Sequence, residues 1–134
     1  MSVYGERELD ARVAMALGSF VWRANGSGDM RFLSPSAEFV SFPVCGDGPE
    51  APPADSTSLR YVPHFSTDPA AYMALLGDKE VAPGGWELKT VEDGRGRFYF
   101  CRIWRSAGRA RGAAAPREGE AICRAVLSAL KGVG

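Results

Sequence analysis

The sequence predicts an α+β fold, a three-layer α/β/α sandwich with a mainly antiparallel sheet and about three helices. Three observations lead there. Segments near both ends space their apolar residues as helices do. Two alternating runs late in the chain are joined by turn residues, the mark of a β-hairpin. The second of those runs, "RFYFCRIW", is apolar on both faces, and such a strand belongs in the middle of a layered structure.

The first helix is read from "ERELDARVAMALG". Leu9, Val13, Ala16 and Leu17 fall on one face. Glu6 and Glu8 suit the positive end of its dipole. Gly18 follows the last apolar residue and can take the left-handed conformation that ends a helix.

A hairpin is expected next. Phe20 and Trp22 alternate with more polar neighbours, "NGSG" (25–28) supplies the turn, and Met30 to Leu33 form the return strand. From Ser34 to Pro63 the pattern breaks up. "EFVSF" has the composition of a short strand, but the Pro/Gly-rich stretch at about 43–58 reads as an exposed loop.

"STDPAAYMALLG" predicts the second helix. Pro69 fits a first turn, where its missing N–H is no loss. The residue before a proline avoids the helical region, so Asp68 stands outside as the N-cap. Ala71, Tyr72, Leu75 and Leu76 form the buried face, and Gly77 ends the helix.

The clearest hairpin is "GGWELKTVEDGRGRFYFCRIWRS", with "DGRG" (93–96) as its turn. Its return strand places Phe98, Phe100 and Trp104 on one side, and Tyr99, Cys101 and Ile103 on the other. "AGRARGAAA" is either an edge strand or an arginine-rich loop. The third helix follows Pro116, with Ile122, Cys123, Val126, Leu127 and Leu130 as its apolar stripe.

With 134 residues, the chain suits a single domain, 1–134. No apolar run approaches the roughly 20 residues that span a bilayer. The first residues, "MSVYGERELD", carry charges where a signal peptide has an apolar core, so a cytoplasmic location is expected. Cys45, Cys101 and Cys123 are an odd, scattered set and read as small buried apolar residues. The net charge is zero but unevenly spread. Residues 1–93 hold 7 Lys/Arg against 14 Asp/Glu, and residues 94–134 hold 9 against 2.

Four blocks occur in order: "ELDARVAMALG", "PHFSTDPAAYMALL", "WELKTVEDG…FYFCRIW" and "EAICRAVLSAL". Together they resemble the phage ABA sandwich domain family, short proteins of unknown function encoded by phages and prophages. The specific part is "P-x-[FY]-S-T-D-x-A-A" followed by "A-I-C-R-A". The resemblance implies an α/β/α sandwich and a phage or prophage origin, with a bacterial host cytoplasm as its setting. It implies no activity and no catalytic residues.

The residues offer little for chemistry either. His64 is the only histidine, and the cysteines lack metal-ligand spacing. Asp47, Glu50 and Asp55 lack the spacing of a calcium loop. A Cys45–His64 pair has no third group to orient it. The glycines of "GDG", "PGGW" and "DGRG" fit turns, and no phosphate-loop pattern is present. No catalytic residue, cofactor or metal site is therefore expected, and the chain reads as a non-enzyme.

Surfaces remain. "GRGRFYFCRIWRSAGRARG" interleaves arginines with aromatics, a composition used on single-stranded nucleic acid. Its candidate contacts are Arg95, Arg97, Arg102, Arg105, Arg109 and Arg111. The structural alternative buries Phe98, Phe100 and Trp104 in the core and leaves the arginines on the rim. On that reading the chain is a phage accessory protein that binds another protein, or its own copy, through a sheet edge or the 43–58 loop. Arg102 stands out, because it lies between Phe100 and Trp104 on one face. It requires an acidic partner, a strand-edge position, an anion, or a face that is only partly covered.

Overall fold

The computed structural model describes residues 3–18, 20–24, 31–35, 59–106 and 109–131. These form three helices and two antiparallel sheets, an α+β fold as the sequence predicts. The strands do not join one sheet. They divide into a pair and a trio, within two units that span residues 1–63 and 64–134.

In the first unit, α1 (Val3–Ala16) ends where expected. Gly18 has a φ of 74°, and its N–H reaches back to the Met15 carbonyl at 3.0 Å. The buried face differs from the apolar stripe. Arg7, Asp10, Ala11, Val13 and Ala14 are buried, while Leu9, Ala16 and Leu17 are only half-buried. The cause is an ion pair turned inward. Arg7 Nη1 donates to Asp10 Oδ2 at 2.7 Å, one turn along the helix. Arg7 Nη2 donates to the carbonyls of Leu59 at 2.6 Å and Val62 at 3.0 Å. A helix side chain thus closes the 59–63 segment, where Val62 N–H also bonds the Leu59 carbonyl. The arrangement satisfies the buried charge and the carbonyls of a non-regular segment together.

Strands β1 (Phe20–Ala24) and β2 (Arg31–Pro35) pair antiparallel, with Trp22 opposite Leu33 and Arg23 opposite Phe32. Arg23 is buried, and its Nε donates to Ser34 Oγ at 3.1 Å. The expected "NGSG" turn, the "EFVSF" strand, the 43–58 loop and Cys45 lie outside the described residues.

The second unit contains α2 (Pro69–Gly77), β3 (Trp86–Asp93), β4 (Gly96–Ser106), β5 (Arg109–Ala115) and α3 (Glu118–Lys131). Asp68 caps α2 as predicted, its carboxylate accepting from Ala70 N–H at 3.1 Å. Tyr72, Leu75 and Leu76 are its buried residues. Gly77 is still helical, and the stop falls at Asp78, whose N–H bonds the Leu75 carbonyl.

The sheet order is β3-β4-β5, so the doubly apolar strand is central. The β3–β4 turn is held by Asp93 Oδ1, which accepts from Arg95 N–H at 2.7 Å. Gly96 closes it at a φ of 125°, a conformation other residues resist. "RARGAAA" forms the edge strand of the two alternatives. Helix α3 packs on β4 and β5. Its buried face includes Ala121, Ile122, Cys123, Ala125, Val126 and Ala129, more alanine-rich than the predicted stripe. Small residues let the helix approach the sheet closely. Among the described residues no helix is long and apolar enough to cross a membrane.

Candidate interaction surface

Central strand β4 sorts its side chains by parity. Cys101 and Ile103 are fully buried; the cross-strand neighbours of Cys101, Leu88 and Ala113, are half-buried, and those of Ile103, Trp86 and Arg111, are exposed. Phe98, Phe100, Arg102 and Trp104 point to the other face, and all four are half-buried. The expectation that the three aromatics are core is thus corrected. Both sets of alternate residues are apolar, and the smaller set lies on the buried side.

The open face has a low flank. Phe100 pairs with Ala114, Arg102 with Gly112, and Trp104 with Ala110, all exposed positions of β5. The Phe100 ring leans over Gly112, where an added Cβ would come within 3.0 Å of its Cζ. Arg102 Cζ stands 5.2 Å from the centre of the same ring, a cation–π arrangement. This answers the problem posed by Arg102: its face is open, and its charge stays near water. On the β3 side, Lys89 lies opposite Phe100 and Glu87 opposite Arg102. Trp104 is anchored by Gly84 N–H, which bonds its carbonyl at 2.8 Å, and by the Gly85 carbonyl, which accepts its N–H at 3.0 Å.

A shallow pocket of about 470 Å³ lies at the Phe98 end of this face, lined by Arg95, Arg97, Phe98, Ala114 and Pro116 among others. The Arg95 side chain has no ion-pair or hydrogen-bond partner among the described residues. Arg97 pairs with Glu92 at 2.7 Å, both well exposed, so the bond is worth little.

The six predicted arginines are not brought together. Arg95 and Arg97 lie at the β3–β4 turn. Arg105, Arg109 and Arg111 lie toward the opposite end of the sheet, about 20–26 Å from Arg97 at an ordinary strand rise. Arg105 is the extra residue of a bulge between Trp104 and Ser106, and it donates to the carbonyls of Glu80 and Val81. Arg102 stands between the two groups on the open face. The reading missed Lys89, Ala110, Gly112 and Ala114 as parts of this surface. The small residues of "RARGAAA" were the available signal.

Other candidates have structural roles. His64 is exposed, and its carbonyl accepts from Asp68 N–H at 2.8 Å in the turn before α2. The segment around it is a capping loop. Burial pushes the Cys101 thiol up to about 12, the wrong direction for a nucleophile. Among the described residues no three His, Cys, Asp or Glu side chains gather as a metal site. Tyr72 Oη donates to Glu118 Oε1 at 2.8 Å, tying α2 to α3. No protein-family model, curated protein or solved structure matches the chain.

Proposed function

We propose that this chain is a small phage or prophage accessory protein, akin to the phage ABA sandwich domain family. It works in the host cytoplasm as a non-enzymatic interaction module, and its partner is a second copy of itself. The observation that carries this reading is the β5 edge. Residues 109–112 and Ala114 are exposed, and no described strand pairs with the outer side of β5. The strand has no proline and no carboxylate. The β3 edge carries four charges, Glu87, Lys89, Glu92 and Asp93, against the two arginines of β5, and edge charges discourage strand addition.

An antiparallel pair of β5 strands about a two-fold axis at Gly112 uses the whole strand. It sets Ala110 opposite Ala114, Arg111 opposite Ala113 and Arg109 opposite Ala115. No arginine directly faces another, so the edge is self-complementary, as a two-fold interface requires. The test is molar mass over a concentration series. Ala110→Lys together with Ala114→Lys puts like charges opposite each other and abolishes the dimer. Ala110→Glu together with Ala114→Lys restores it. A monomer at every concentration rejects self-pairing.

A second reading, nucleic-acid binding, is favoured by the aromatic face beside Arg102 and the Arg95 end. The separation of the arginines into two groups argues against one broad basic surface, and so against duplex DNA.

A further inference from the structure

Resting on that second reading, we infer that the open face of β3-β4-β5 is a binding site for single-stranded nucleic acid. Bases stack on Phe100 and Trp104, and a backbone phosphate sits at Arg95.

Phe98 and Phe100 lie two residues apart on one strand, about 7 Å, and Trp104 lies four beyond Phe100, about 13 Å, with Arg102 between. Each ring is half-buried, as is Tyr99 on the opposite side of the strand, where Cys101 and Ile103 are fully buried. An antiparallel sheet with helix on one face and aromatics on the other offers a stacking platform to unpaired bases. Every base has a π-face, so such a platform accepts any sequence. The alanines and glycine of β5 are too short to wall it off. A duplex keeps its bases stacked inside and cannot use these rings.

The charges are placed for one strand's phosphates. Lys89 and Arg102 flank Phe100 on the same face. Arg95 lines the pocket at the Phe98 end of the open face, and Phe98 and Ala114 belong to both. Two carboxylates lie close. Glu87 is opposite Arg102 and pairs with Lys89 at 3.6 Å, an exposed pair that a phosphate can displace, and Asp93 already accepts a hydrogen bond from the Arg95 backbone N–H. The unit from 64 to 134 has eleven Lys/Arg against eight Asp/Glu, a modest positive excess. With two or three phosphates neutralised, log affinity falls with log salt at a slope of about −2.

The experiment is fluorescence anisotropy with the full chain and a labelled oligothymidylate of about ten nucleotides, beside a duplex of equal length. Saturable single-strand binding is expected, at least about tenfold tighter than to the duplex, with the shallow salt slope given above. Phe100→Leu keeps an apolar side chain over Gly112 but removes the ring, and Trp104→Leu does likewise. Each weakens binding about tenfold. Lys89→Glu, at an exposed strand position, weakens it without touching the core and decides the matter if a ring variant fails to fold. Equal binding of the duplex overturns the single-strand assignment. Binding that survives both ring changes and Lys89→Glu, but is lost on Arg109→Ala with Arg111→Ala, overturns the site and keeps the nucleic-acid reading. No binding at low salt removes both.

Discussion

Gly119, in the first turn of α3, is pressed against the backbone of Ser66. A Cβ built on it would come 2.7 Å from the Ser66 carbonyl carbon, closer still to the carbonyl oxygen, and 2.7 Å from Tyr72 Cδ2. The loop that leads into α2 and the start of α3 therefore touch backbone to backbone. Two of the three groups in the way are main chain and cannot swing aside. Gly119→Ala should destabilise the protein by about 1–3 kcal/mol through overpacking, despite the better helix propensity of alanine. Urea unfolding of the two proteins measures this. A variant as stable as the parent would mean that the contact relaxes freely.

The contact was not readable in "PREGEAICRA", because a glycine in a helix start looks like a local weakness until its neighbour is known. Other features were legible because their causes are local. Asp68 before Pro69, Gly18 after the α1 stripe, and "DGRG" between two strands each specify a backbone conformation within four residues. The two faces of β4 were not separable. Phe98, Phe100 and Trp104 outweigh Tyr99, Cys101 and Ile103 in apolar size, so area alone favours burying the first set. The decision came from α3, whose Ala121, Ala125 and Ala129 suit a close approach to small sheet residues. The polar buried face of α1 was equally hidden, since the carbonyls that Arg7 serves lie more than fifty residues later.

That polar face gives the second prediction. Arg7 is 8% exposed and Asp10 0%. Arg7→Met removes the charge partner of a buried carboxylate and the donors to the Leu59 and Val62 carbonyls. The cost should be about 3–5 kcal/mol. Removing both charges, with Arg7→Met and Asp10→Leu together, should cost clearly less than the sum of the single changes, because neither buried charge then remains without its counter-ion in this pair. Denaturant midpoints for the four proteins of the cycle measure the coupling. Additive effects would show that the pair is not the unit that matters.

The third prediction concerns Tyr72 and alkaline pH. Burial, then the hydrogen bond and the charge of Glu118, push its phenol from the ordinary 10.0 up to about 12. The folded state thus holds the proton more tightly than the unfolded chain. Stability from this source is complete below pH 10 and is lost as pH rises through the interval up to about 12, where the unfolded state binds fewer protons. Tyr72→Phe removes that dependence and the bond to Glu118, at a cost of about 0.5–1.5 kcal/mol at neutral pH. The stability difference between parent and variant should therefore shrink as pH rises through the same window. Unfolding curves of both proteins, taken on either side of pH 10, isolate Tyr72 from the other titrating groups, since those are common to both. A difference that stays constant with pH would mean that the phenol does not titrate differently in the folded protein, and that its link to Glu118 is only a neutral hydrogen bond.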